Sequence, residues 1–303
     1  MTKPTLQQFS YLVAVADEGH FGRAAALCSV SQPGLSSQIQ ELESRLGITL
    51  LERLTKGVRL TPEGVEIVSR ARRILNEVDE LINASQLDTK ALVGPFTVGA
   101  IPTVAPYLLG DFVPTVLSAN PDVSLRFEEL TTDNLLASLR SGQIDLGICA
   151  LPVEGRDLVG VPILDDHFLL AVSTRNDLAR TDGPVSQTVL SKLSILLLDE
   201  GHCLRDQALA LCSSVRAHPT DLRATSLPTL VQMVAADVGV TLLPVTAAAV
   251  EARSGNGIKV RRIKEAPLRT LALVWRASSP RDELYRSLAH DFSEALARFR
   301  SSN

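Results

Sequence analysis

The sequence predicts a small all-α module at the N-terminus, a long helix after it, and a larger α/β domain of two Rossmann-like lobes. Three observations carry this prediction. The first 60 residues read as helices with short breaks, residues 65–82 carry an apolar stripe of helical period, and from Gly94 onward strand-like and helix-like segments alternate. Length agrees. A chain of 303 residues, at about 150 residues per domain, has room for two domains.

Composition narrows the class. Hydrophobic residues make up 45% and charged residues 21%, the texture of a folded chain without long disorder. No apolar run approaches the roughly 20 residues that span a bilayer, and the opening MTKPTLQQFS does not read as a signal peptide. No membrane partner is expected, and the reading is cytoplasmic. The formal charge of −4 argues against whole-surface attraction to nucleic acid but leaves room for a local basic patch. Four cysteines are too few for a disulfide scaffold. In a reducing compartment any disulfide is transient and functional. No metal and no cofactor is expected.

The elements follow in order. Thr61 caps, and Pro62 opens, a helix running to about Ser85. Within it Val68, Ala71, Leu75, Val78 and Ile82 recur at spacings of 3, 4, 3 and 4, broadened by Ile67, Ile74 and Leu81. That period asks for a partner helix, as in a coiled coil, or else for the helix's own domain. A linker is expected near Asp88–Leu92. Beyond it Phe96–Ile101, Val123–Glu128, Ile144–Ala150, Ile195–Leu198, Leu222–Thr225 and Val240–Leu243 read as strands. Asn134–Ser141, Leu227–Ala236 and Asp282–Arg300 read as helices. Such alternation points to doubly wound units with parallel sheets, whose ligands sit at strand carboxyl ends near helix N-termini.

The N-terminal module carries a motif. A short alanine-rich helix from Phe21 ends near Cys28, Val30 crosses a tight turn, and Ser31 caps a second helix with Pro33 in its first turn. Leu35, Ile39, Leu42 and Leu46 bury one face. Gln32, Ser36, Ser37 and Gln40 stay free, with small or amide side chains suited to base edges and phosphates in a major groove. The continuation Gly47–Arg53, then Lys56–Gly64, reads as two short strands around a basic turn, a wing able to touch the DNA backbone. This is a winged helix-turn-helix.

In this order of features the first 64 residues resemble the LysR-type transcriptional regulators. The resemblance implies a double-stranded DNA operator as partner, with Gln32, Pro33, Ser36 and Ser37 at the DNA and Arg53 and Arg59 reaching it from the wing region. Ser37 departs from the bulkier polar or basic residue common there. The module holds nine basic against ten acidic residues over positions 1–87, so binding rests on local geometry. The family further implies a homo-oligomer, a tetramer in which lobe-to-lobe contacts join two dimers paired through the long helix, and contact with RNA polymerase. It also implies a two-lobed domain like that of periplasmic binding proteins, usually holding a small metabolite in the cleft.

The segment Asp199-Glu200-Gly201-His202-Cys203-Leu204-Arg205 argues for different chemistry. A strand precedes it and a helix opens near His202, which puts Cys203 at a helix N-terminus with Arg205 and His202 close by. Free amides and a cation favour thiolate over thiol, and a thiolate can attack a peroxide and become a sulfenic acid. Cys28, on an alanine-rich helix, and Cys149, in an apolar strand, read instead as small hydrophobes. Cys203 and Cys212 lie nine residues apart, about 13.5 Å along one continuous helix. A disulfide needs Cα atoms within about 7 Å. If these two join, the helix between them must unwind.

The same run resembles the branch of that family that responds to hydrogen peroxide. The match continues in Ile101-Pro102-Thr103-Val104, Pro106–Leu109, Arg223–Leu227 and Gly239–Pro244, and so spans the chain. It implies that Cys203 is the peroxide-reactive cysteine and Cys212 its disulfide partner, with a thiol reductant to reset the pair. It places Thr103, Thr132, His202 and Arg269 around the peroxide, hydroxyls and imidazole holding its oxygens and a cation stabilising the leaving hydroxide. Ser213 departs from the bulky apolar residue expected after the second cysteine.

These readings divide the chain into a DNA-binding domain over 1–61, a linker and dimerisation helix with hinge over 62–92, and a redox-sensing domain over 93–303. Within the last, one lobe takes about 93–164 and 268–303, the other about 165–267. The expected function is peroxide-responsive regulation of oxidative-stress genes. The alternative is a regulator sensing a small metabolite in the cleft, with incidental cysteines. A thiol peroxidase has no use for the DNA-binding module, so no enzyme activity is expected.

Overall fold

The computed structural model describes residues 3–54, 57–85, 91–181, 183–201, 203–215 and 219–300. The chain forms two compact units, the first over the N-terminal 89 residues and the second over nearly all the rest.

The first unit runs α1 (Leu6–Glu18), α2 (Phe21–Leu27), α3 (Gln32–Leu46), β1 (Leu51–Arg53), β2 (Val58–Leu60) and α4 (Pro62–Ser85). Local chemistry sets each boundary. Thr5 and Gln8 close a reciprocal capping box at the start of α1, and Gly19, at φ 59°, ends it in the left-handed conformation that glycine tolerates. Ser31 caps α3 by accepting from the Gly34 amide at 3.3 Å. Leu12, Val15, Ala24, Leu35, Ile39, Leu42 and Leu50 make the core. One carboxylate fastens the wing to this core: Glu43 Oε1 accepts from the Leu50 and Leu51 amides at 2.7 and 3.1 Å. Gly64 lets α4 pass the wing, because a Cβ there would stand 2.1 Å from the Leu50 carbonyl oxygen.

The apolar stripe of α4 divides. Val68 and Ala71 are 6% and 1% exposed, turned into the unit's own interior, and Arg72 pairs with Asp17 of α1. Val65, Ile74 and Leu81 are exposed. The broad predicted face therefore serves two purposes: one edge holds the helix to its domain, the other remains open within the chain. Ile82 has a side chain outside the described residues.

The second unit continues with β3 (Gly94–Ala100), α5 (Ala105–Ala119), β4 (Val123–Glu129), α6 (Thr132–Ser141), β5 (Leu146–Ala150) and β6 (Leu158–Ser173). Two short 3₁₀ turns lead to β7 (Ile195–Leu198), α7 (Cys203–Ser214), β8 (Pro219–Ala224), α8 (Leu227–Ala235), β9 (Thr241–Pro244), α9 (Val245–Glu251), β10 (Ile258–Arg262), β11 (Leu268–Arg276), α10 (Asp282–Ala295) and α11 (Ala297–Arg300). The expectation of parallel sheets needs correction. β3 runs parallel to β4 and β5, and β7 to β8, but β6, β9, β10 and β11 pair antiparallel. Seven strands form one mixed sheet in the order β10-β6-β11-β5-β3-β4, with β9 also on β6. β7 and β8 form a separate pair.

The strand that joins the seven into one sheet is β6. Its first half packs Ile163 and Leu164 into a core with Phe96, Leu108, Phe112, Ile148, Leu273 and Trp275. Its second half packs Phe168, Leu170 and Val172 into another with Leu196, Leu198, Leu211, Val231 and Leu243. Two hydrophobic cores thus share one strand. Opposite β11 its register shifts between Pro162 and Leu164, a bulge that accommodates a proline inside a central strand.

Candidate redox site and DNA interface

The first turns of α3 form the surface expected at DNA. Gln32, Pro33 and Ser37 are exposed, while Ser36 is half-buried. The wing cations are not idle. Arg53 Nη2 donates to Ser36 Oγ at 2.7 Å, and its guanidinium lies 5.1 Å from the centre of the Phe21 ring. Arg59 sits opposite Glu52 in the β1–β2 register and donates to its carboxylate from Nε and Nη2 at 3.1 and 2.7 Å. Such an exposed pair is worth at most about 1 kcal/mol, so a phosphate can compete for the guanidinium.

The second candidate site is centred where β7 ends and α7 begins. Gly201, at φ 86°, turns the chain, and a Cβ there would lie 3.6 Å from Thr131 Cγ2. Cys203 opens α7, half-buried and packed against the first core, whose Ile101, Val104 and Ala105 flank Thr103. Thr132 opens α6, and its buried hydroxyl oxygen has no partner among the described residues. His202 lies outside the described residues.

Thr103 and Arg269 meet directly. Arg269 Nη1 donates to Thr103 Oγ1 at 2.9 Å, and Nη2 donates to the Thr103 carbonyl at 3.1 Å. The guanidinium is fully enclosed and balanced by Asp166, whose Oδ2 accepts from Nε at 3.1 Å and Nη2 at 2.9 Å. Thr246 at the start of α9 completes the carboxylate's shell, its amide donating to Oδ1 at 3.1 Å and its hydroxyl to Oδ2 at 2.8 Å.

Cys212 belongs to the second core at 2% exposure, and burial pushes its thiol up. Both it and Cys203 are free thiols, on one unbroken helix. Burial, and secondarily Cys203, pushes the Cys149 thiol up to about 12. Burial also raises the Cys28 thiol. Arg205 is placed otherwise than expected. Two residues beyond Cys203 on a continuous helix, it turns to the far side. Its Nη2 stands 3.9 Å from Glu200 Oε1, and its Nε is buried without a partner among the described residues.

The residue that shares the Cys203 face is Gln207, one turn on, with a buried Oε1 that has no partner among the described residues. Sequence reading passed it over, although the spacing of four residues was the available signal. No group of three or more metal-ligating side chains comes together among the described residues.

Comparison with known proteins places this geometry. Residues 89–297 match the LysR substrate binding domain, and residues 6–65 match the bacterial regulatory helix-turn-helix protein, lysR family. The chain belongs to the LysR family. Among LysR relatives it is 41% identical over 285 residues to the DNA-binding transcriptional dual regulator OxyR of Escherichia coli (strain K12), covering 94% of this chain and 93% of that one. It is likewise 41% identical over 298 residues to a probable hydrogen peroxide-inducible genes activator of Mycobacterium avium, covering 97% and 95%. Its structure resembles a full-length OxyR variant from Pseudomonas aeruginosa, with a TM-score of 0.84 at 36% identity over 96% and 95% of the chains. The oxidized form of Corynebacterium glutamicum OxyR matches with a TM-score of 0.61 at 35% identity, over 99% and 95%. Among the described residues of this LysR protein, no helix is long and apolar enough to cross a membrane.

Proposed function

We propose that this LysR-family protein is a hydrogen-peroxide-responsive, DNA-binding transcriptional regulator, switched by a reversible disulfide between Cys203 and Cys212. The observation that carries the reading is the pair of free cysteines on α7: one half-buried at the helix start against the first core, the other enclosed in the second. Free amides at the helix start support negative charge on Cys203 sulfur. That sulfur attacks one peroxide oxygen, the O–O bond breaks, and the departing hydroxide takes a proton to become water. Thr103, Thr132 and His202 hold the oxidant, and Arg269 supports the developing charge. The product is a sulfenic acid. The Cys212 thiol then displaces its hydroxyl as water and forms the S–S bond. Two electrons from two thiols reduce one peroxide to two waters, and a thiol reductant reverses the change.

The test is non-reducing mass spectrometry of the full chain before and after stoichiometric peroxide. A new Cys203–Cys212 disulfide is expected. Cysteines that stay reduced would favour the metabolite-sensing alternative.

On DNA, α3 lies in a major groove and the wing follows the backbone. Gln32→Ala is expected to lose sequence discrimination by about 1–3 kcal/mol through a lost base-edge amide contact. Arg59→Ala is expected to weaken binding to all sequences and to flatten its salt dependence. Titrations of operator and unrelated DNA at several salt concentrations separate the two effects.

The exposed edge of α4, with Ile74 and Leu81, pairs two chains so that two recognition helices meet successive major-groove faces. Two such dimers join as a tetramer, and the DNA-bound assembly contacts RNA polymerase. Light scattering is expected to show no monomer at micromolar concentration. The region over 1–61 reads DNA, 62–92 assembles the chains, and 93–303 senses the oxidant.

A further inference from the structure

We propose that Asp166 is the positioning residue of the peroxide site, holding Arg269 in the one orientation that serves Thr103 and tying it, through Thr246, to the second core. The inference rests on the peroxide reading above and extends it to a residue that touches neither sulfur nor oxidant.

A guanidinium presents five N–H groups in a plane and cannot shed its charge. In Arg269 four are committed among the described residues, by Nε and Nη2 to Asp166 and by Nη1 and Nη2 to Thr103. Both Asp166 bonds converge on Oδ2, which fixes the plane of the fork. With the plane fixed, Nη1 meets Thr103 Oγ1 as a donor. The hydroxyl is thereby occupied as an acceptor, while its own hydrogen has no acceptor among the described residues. That hydrogen and the one uncommitted Nη1 proton are what this pair can offer to a peroxide oxygen.

Asp166 is itself held rigidly. It is 1% exposed, and both oxygens accept from Thr246, whose neighbour Val245 packs in the first core and whose neighbours Ala247 and Ala248 pack in the second. β6 supplies Asp166 at the point where it passes from one core to the other. Without the carboxylate the guanidinium would be a lone buried cation, free to turn away from Thr103. The reaction it serves balances as written above: sulfur is oxidised, the O–O bond is reduced and cleaved, and hydroxide leaves.

The experiment compares two reactions of Cys203 in the full-length protein, in a Cys212→Ser background. One is sulfenic-acid formation by hydrogen peroxide, trapped and followed by mass spectrometry. The other is alkylation by iodoacetamide, which needs only an accessible, ionised sulfur. Asp166→Asn is expected to slow the peroxide reaction by about tenfold to a hundredfold and to change alkylation by less than about threefold. Asp166→Glu, which keeps the carboxylate, restores much of the rate. Thr246→Val, which removes one bond to Oδ2, gives a smaller loss with the same selectivity and serves if Asp166→Asn does not fold. Peroxide and alkylation rates that fall in parallel, or a peroxide rate untouched by either change, would overturn the assignment. A parent Cys203 that ignores peroxide would overturn the peroxide reading and this proposal together, whereas a reactive parent beside an unaffected variant overturns this proposal alone.

Discussion

Cys203→Ser is expected to abolish the transcriptional response to peroxide, whereas Cys212→Ser still forms a sulfenic acid on Cys203 but no intramolecular disulfide. The two thiols differ in access and in electrostatics. Cys203 is half-buried at the positive end of a 12-residue helix. Cys212 is enclosed with Leu204, Ala208 and Leu211, and burial raises its thiol above the ordinary range. Peroxide therefore meets Cys203 first. For the bond to close, residues 204–211 must unwind, since nine residues of α-helix hold the sulfurs' backbones about 13.5 Å apart along the axis. Cys28→Ser and Cys149→Ser should respond nearly normally, because burial holds both thiols in the poorly ionised form. A sulfenic-acid trapping reagent applied to each single variant checks all four. Label on Cys212 beside a reduced Cys203 would reverse the assignment, and a normal response from Cys203→Ser would end the redox reading.

Arg269→Met is expected to destabilise the second unit by about 3–5 kcal/mol, because it leaves the Asp166 carboxylate buried and short of its cation. Trp275, the single tryptophan of the chain and fully buried in that unit, reports the unfolding. Urea titration of its fluorescence should show the midpoint fall. The double change Arg269→Met with Asp166→Leu should recover most of the loss, since an apolar pair of similar volume avoids the unpaired charge. A double variant as weak as the single one would show that the unpaired charge does not set the cost.

The DNA-binding motif was legible because its signals are local. Ser31 caps α3 and Pro33 lies in its first turn, as its position before an apolar stripe implies. The ends of α4 and β7 were legible for the same reason. β6 was not. Its segment carries Pro162, Asp165 and Asp166 inside apolar residues, so neither a clean alternation nor an unbroken apolar run marks it. Only a bulge and a partner across the sheet make it a strand.

The polar site divides along the same line. Cys203 was legible because it follows a strand and opens a helix, and Cys212 as its partner came from the family resemblance, since a spacing of nine residues on one helix separates the two. Asp166 did not, because its partner lies 103 residues away and an acid in a sequence reads as surface until a buried cation claims it. Arg205 misled for a geometric reason. Nearness in sequence by two residues means opposite faces on a helix. The wing pair Glu52–Arg59 likewise depends on strand register, which no single segment announces.

α7 rests on the smaller of the unit's two sheets. Among the described residues β7 ladders with β8 and hydrogen-bonds to Val240 and Thr241, while α7 packs Leu204, Ala208, Leu211 and Cys212 into the second core but takes no part in the ladder of β6 and its neighbours. Unwinding α7 thus leaves the large sheet standing as the template on which the helix can reform. A helix of this length reforms in about a microsecond or less, whereas thiol exchange takes seconds to hours. The duration of the oxidised signal is therefore expected to follow how fast a reductant reaches the disulfide, and not how fast α7 winds up again.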